Sequence, residues 1–268
     1  MDPIYKEEET KLSDVKSKLG NAKDSLVSDI EKLGGENLDA LRTYRESPET
    51  SPLDVLLFME QLHEKNVSFN LPDKFKRLEE FENLLREPYF SRIDLENNEN
   101  GELQKIYVGK FGFTDDAPVI TDWRAKIASV YYRYRYPQRN VTYVTPDGVE
   151  TRNLTLKRTF EIDKGQLIKY YNNDLKLDEN EIISGKIEKR TGGVLEDIVE
   201  TIQIGQLDII ESDPRQICIV QGCVGSCKST VAIHKLSHIF FNYPELIHPE
   251  RSILIAKNQI LVGYLSTL

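Results

Sequence analysis

The stretch that narrows the possible folds most is Gly222-Cys223-Val224-Gly225-Ser226-Cys227-Lys228-Ser229-Thr230, which directly follows the apolar hexapeptide 216–221 (QICIVQ). A short apolar strand, a glycine-bearing loop and Lys-Ser at the head of a helix make up the phosphate-loop pattern G-x-x-x-x-G-K-[ST]. A second apolar run, 252–256 (SILIA), comes after the helix. The segment therefore reads as a parallel, right-handed β-α-β unit with the loop at its first turn. Backbone N–H groups between Gly222 and Lys228 would line a concave anion site, and the helix N-terminus would add its positive end. Lys228 would reach the β- and γ-phosphates of ATP, and the Ser229 hydroxyl would hold Mg²⁺.

One position departs from the pattern. Cys227 stands where glycine is expected, at a point that needs either a positive φ or close approach of backbone to phosphate. A Cβ in a left-handed conformation costs roughly 1–2 kcal/mol, so ATP affinity is expected to fall about tenfold. Cys218, Cys223 and Cys227 crowd into ten residues, which is no disulfide framework. They do not make a zinc site either, because only three thiols are present and Cys218 falls in the expected strand.

The 268 residues suffice for one large domain or two small ones. An acidic N-terminus excludes a secretory or transit peptide, and no apolar run approaches the ~18–20 residues of a membrane span. A reduced, cytoplasmic protein is expected. The formal net charge is −9, and residues 1–86 hold 19 acidic against 13 basic side chains. Such a surface repels phosphate backbones, so nothing global argues for tight nucleic-acid binding. The acidic segment reads either as a solvated helical face or as an arm suited to a basic protein surface.

The expected class is α/β, in three segments: a helical, coiled-coil-like arm at 1–87, a β-rich segment at 88–191, and the β-α-β unit at 192–268. Leu12, Val15, Leu19, Ala22 and Leu26 recur at heptad-like steps, and Gly34-Gly35 is expected to end that helix. Ser51-Pro52 opens a second helix and Pro72-Asp73 a third, carrying Phe75, Leu78, Phe81, Leu84 and Leu85. The arm reads as an antiparallel hairpin or as a bundle packed on the rest of the chain. In the middle segment Tyr132, Tyr134 and Tyr136 alternate with Arg133 and Arg135, as on a strand. Those side chains either stack bases or form a half-buried strand. Pro146-Asp147-Gly148 and Lys164-Gly165 mark hairpin turns. A helix bearing Val194, Ile198, Val199, Ile202 and Ile209 then follows Gly192-Gly193.

Several blocks together carry a resemblance. Pro88-Tyr89-Phe90-Ser91-Arg92-Ile93-Asp94 is similar to a PYFGRID block, and Asp122-Trp123-Arg124-Ala125 to DWRAP with Lys126 in place of proline. Leu156-Lys157-Arg158-Thr159-Phe160 is similar to LKRQF, and the run from Ile198 to Gln206 to IVATIQ-x-x-Q. Ala232-Ile233-His234-Lys235 is similar to ALHR. In order and spacing these blocks resemble the HelD-like branch of the UvrD/Rep superfamily 1 DNA helicases, N-terminal portion. That resemblance implies an ATP-dependent motor of RecA-like architecture, here an incomplete RecA-like domain. It implies that Gln206 reads the adenine edge. It also implies that the parent enzyme acts on RNA polymerase through its N-terminal helical arm, and on DNA.

After Thr230 the sequence has two acidic residues, Glu245 and Glu250, and neither ends an apolar strand. No Walker-B carboxylates and no second RecA-like domain follow, so the expectation is a fragment with no catalytic residues that does not hydrolyse ATP alone. The alternative is a non-catalytic module that binds RNA polymerase, or a degenerate gene fragment.

Overall fold

Leu12, Val15 and Leu19 are fully buried along one side of a single helix, α1 (Pro3–Arg45), of 43 residues and roughly 65 Å. The structure is a computed structural model that describes residues 2–45, 71–145, 148–173, 199–223, 225–253 and 255. The helix expected at Ser51-Pro52, the turn pair Pro146-Asp147, Gly192-Gly193 with Val194 and Ile198, and Val224 lie outside the described residues. Gly34-Gly35 does not end α1, contrary to expectation. Two interior glycines cost about 2 kcal/mol relative to alanine, and no proline follows until Pro48 to stop the helix outright.

The chain forms two compact units, residues 1–88 with 162–168, and residues 89–161 with 169–268. In the first, α2 (Leu71–Arg86) follows the expected pattern and buries Phe81 and Leu84. It runs antiparallel to α1. Lys23 meets Glu82 at 3.1 Å, while Lys16, nearer the start of α1, reaches the level of Arg86 through Gly165. The Lys164-Gly165 turn is the clamp between the helices. The Gly165 N–H donates to Arg86 O at 2.8 Å, satisfying a carbonyl that α2 leaves open at its end, and Lys16 Nζ donates to Gly165 O at 2.9 Å. Lys164 and Gly165 have φ of 49° and 71°, and a Cβ on Gly165 would lie 2.7 Å from Leu85 O. Only glycine fits there.

The second unit is built on a mixed seven-stranded sheet, in the order β3-β4-β2-β1-β6-β5 with β7 also paired to β6. The strands are β1 (Ser91–Asn97), β2 (Leu103–Gly109), β3 (Phe113–Thr114), β4 (Pro118–Asp122), β5 (Gln138–Thr145), β6 (Gly148–Asp163) and β7 (Gln166–Asn172). The expected hairpins are therefore present, and only β2 with β4 is parallel among the registers given. β1 is central, with Ser91 to Leu95 all buried. Two of the sequence blocks pair directly, since Ser91 faces Thr159 and Arg92 faces Arg158. Arg92 and Asp94 are each 4% exposed and form a bidentate pair with both contacts at 2.7 Å, so neither charge is buried alone.

The Tyr/Arg alternation does not make a strand. Residues Ser129–Arg133 form a short helix, α3. Tyr131 and Tyr132 lie in that helical turn, and both are buried. Their hydroxyls donate to Glu200 O and Val199 O, so they are fastened to the protein rather than open for stacking bases. The helix expected through Ile209 is also interrupted. A 3₁₀ turn (Val199–Thr201) gives way to α4 (Ile204–Ile210). Helix α5 (Lys228–Asn242) completes one core that joins Ile93, Val108 and Tyr131 to Val199, Leu207, Ile210 and Val231.

Residues 216–221 form no strand, and neither do the described residues of 252–256. Ile217 and Ile219 are 95% and 85% exposed, and Ile253 and Ile255 are 87% and 89% exposed. A parallel strand takes its hydrogen bonds from neighbours covered on both faces, and the described residues provide none for these segments.

Candidate functional site

The loop that leads into α5 is shaped by two left-handed residues. Gly225 has φ of 85°, and Cys227 has φ of 55° and ψ of 28° as the N-cap of α5. The position expected to need a positive φ has one, with a cysteine in it. Ser226 turns back on the loop, its N–H and hydroxyl both directed to Cys223 O at 3.3 and 2.9 Å. A Cβ on Gly222 would sit 2.5 Å from Ser226 Oγ, a contact the serine hydroxyl could relieve by rotating. Lys228 folds over the loop, with Nζ 2.6 Å from Cys223 O.

The first intrahelical bond of α5 runs from Val231 N to Cys227 O, and no side chain caps the helix. The N–H groups of Lys228, Ser229 and Thr230 thus have no partner within the helix. Ser229 is exposed on that first turn, and Thr230 is buried beneath it. The turn, three helix-end N–H groups and the Lys228 ammonium, which is bonded to Cys223 O, are all donors, the kind of group that binds a phosphate. Cys218 and Cys223 are exposed and Cys227 is half-buried.

Gln206 lies in the first turn of α4, and its Oε1 accepts from Gln203 N at 3.0 Å. This is a capping box, legible in the Gln-x-x-Gln spacing ahead of an apolar run but not read from it. The carboxamide oxygen keeps a second lone pair, so capping orients the group without exhausting it.

The seat of α5 is the Asp122-Trp123-Arg124 block of the sheet. Asp122 holds Arg124 through two contacts, at 2.8 and 2.7 Å. Arg124 Nη1 donates to Ser237 Oγ at 3.1 Å and its guanidinium lies over the Phe241 ring. Trp123 meets His234 edge-on, and Asn242 Nδ2 donates to Arg124 O at 3.0 Å. His238, 2% exposed, lies on the same helix, and its Nδ1 has no hydrogen-bond partner among the described residues. Burial and the nearby charges of Lys126, Lys235 and Arg124 push its pKa down to about 4.

Sequence reasoning also missed Lys235 and Arg133. Buried Lys235 reaches from α5 to Ile209 O and Ser212 O. Arg133 of α3 binds Asp208 at 3.0 Å and also Glu211, at the end of α4.

The family model for the DNA helicase IV HelD N-terminal domain matches residues 5–187. That span is more than half of the chain, which therefore belongs to the HelD family and represents its N-terminal portion. Its matched region contains the helical pair and the whole sheet, and it ends before Gln206 and the loop. No curated protein matches the sequence. No helix among the described residues is long and apolar enough to cross a membrane.

Proposed function

We propose that residues 222–230 are the phosphate-binding loop of an ATP site in a RecA-like domain of a HelD-type DNA helicase. The observation that carries this reading is the left-handed Cys227, which ends the turn and opens α5 with N–H groups that no side chain caps. Gln206 would read the adenine amino group and N7 through its carboxamide. Ser229 would supply a hydroxyl to Mg²⁺, and the backbone of Gly222, Cys223, Val224, Gly225, Ser226 and Cys227 would wrap the phosphates. When bound, ATP supplies a phosphoanhydride bond whose cleavage could drive a motor. The residues here bind and orient it, and we assign none of them a catalytic role.

The test is titration of the 268-residue protein with a fluorescent ATP analogue and Mg²⁺. Saturable binding, weakened at least about tenfold by Lys228→Ala, supports the reading, because the lysine contributes a charge-assisted contact. Equal binding by both proteins refutes it.

RNA polymerase is the proposed protein partner, approached in the cytoplasm through the α1–α2 pair, with DNA engaged by the parent enzyme. What supports this is membership of the HelD family together with an antiparallel helix pair braced at Gly165. Pull-down with purified RNA polymerase checks it, and no retention of the protein would count against it.

A further inference from the structure

One buried ammonium, on α5, lies outside the nucleotide contacts described above. Lys235 is 8% exposed, yet it sits two turns along α5 from Lys228, on the same helix side. All three contacts of its Nζ go to one place, the end of α4: Ile209 O at 3.1 Å, Ser212 O at 2.8 Å and Ser212 Oγ at 2.7 Å. Three donors thus meet three acceptors, which is what a lysine needs in order to be buried without a carboxylate. Burial holds its pKa below the usual lysine value, so the position is not a cheap place for a charge.

The geometry connects two ends of one site. Ile209 is one turn beyond Gln206 on α4, and Lys228 begins α5. A single side chain therefore fixes the helix bearing the adenine-reading group against the helix bearing the phosphate loop. Arg133 adds a second restraint on α4 through Asp208 and Glu211. We propose that Lys235 is a positioning residue that sets the separation between the adenine end and the phosphate end of the nucleotide site. The proposal rests on the ATP reading given above. It goes further in making base recognition, and not phosphate binding, depend on a residue that touches neither.

The experiment compares two probes, ATP and inorganic tripolyphosphate, by calorimetric titration with Mg²⁺. The 268-residue protein is used with Lys235→Met, Lys235→Arg and Ser212→Ala. The expected result for Lys235→Met is about tenfold weaker ATP binding, the value of about one hydrogen-bonded contact, with tripolyphosphate affinity unchanged. Lys235→Arg restores ATP binding, because a guanidinium can reach the same acceptors. Ser212→Ala removes one of the three acceptors and weakens ATP binding about threefold, and it keeps the test open where Lys235→Met fails to fold. Parallel loss of ATP and tripolyphosphate, or no loss of either in Ser212→Ala and Lys235→Met, overturns the proposal. Absence of binding of both probes by the unsubstituted protein overturns the ATP reading itself, a distinguishable outcome.

Discussion

Asp122 and Arg124, two residues apart at the end of β4, form a bidentate pair that presents the remaining guanidinium nitrogen to Ser237 of α5. Asp122 also accepts from Gly112 N at 3.2 Å, so one carboxylate ties a strand end, a loop and the arginine that seats the helix. Asp122→Ala strands four donors, the backbone N–H groups of Gly112 and Arg124 and two guanidinium nitrogens of Arg124. Breaking a buried pair costs about 3 kcal/mol, somewhat less where one partner is partly solvated as Arg124 is. A fall in Tm of about 5–10 °C is expected by differential scanning fluorimetry. An unchanged Tm would show that the pair does not seat α5.

The capping role of Gln206 and its proposed adenine role separate cleanly by substitution. Gln206→Glu keeps an oxygen for Gln203 N but removes the N–H donors that adenine N7 would need. Tm should stay within about 1 °C while ATP affinity falls about tenfold. Gln206→Ala should lower both. Thermal melts with parallel ATP titrations distinguish these patterns, and a Glu variant that binds ATP normally would confine Gln206 to capping.

Cys227 holds a left-handed φ that glycine adopts freely. Cys227→Gly relieves roughly 1–2 kcal/mol of local strain and returns part of it through the freer unfolded chain. The net expectation is a small rise in stability, about 0.5 kcal/mol, and up to about tenfold tighter ATP binding. The same fluorescent titration used for Lys228→Ala reads the second effect. Equal affinities would mean that the thiol is sterically neutral beside the phosphates.

Stability should depend on pH through His238. Its pKa is ordinarily near 6.5 and is pushed down to about 4 in the folded protein. Between these values the unfolded chain binds a proton that the folded chain excludes, so stability is fully present above about pH 6.5 and declines toward pH 4. The decline attributable to this residue is about 3 kcal/mol. Urea midpoints measured from pH 4 to 7 should show it, and His238→Leu should flatten the slope. An unflattened slope would place the titration on other groups.

Helices α1 and α2 were legible because three- and four-residue spacing persists over several turns, as at Leu12, Val15 and Leu19. The hairpins were legible from turn chemistry at Gly148 and Lys164-Gly165. The Tyr132 to Tyr136 stretch misled because five residues are too few to separate a period of two from a helical turn. What accompanies the helical turn is the fastening of the Tyr131 and Tyr132 hydroxyls to Glu200 O and Val199 O, a tertiary fact. The glycine pair in α1 misled because a stop needs more than two tolerable helix residues. For the loop, the left-handed position was readable from the motif. The capping use of Gln206 and the reach of Lys235 across to α4 depend on how separate elements meet, which spacing along one chain does not encode.

The Lys164-Gly165 turn belongs to the helical unit although it comes 78 residues after α2 ends at Arg86. Its neighbours Ile162 and Leu167 are buried in that unit, and Tyr5 near the start of α1 donates its hydroxyl to Leu167 O. The arm is consequently not a detachable cassette. A protein cut after residue 88 would leave a helix end bare and an oily notch open to water, so grafts and binding fragments must carry the distant turn along with the helices it bridges.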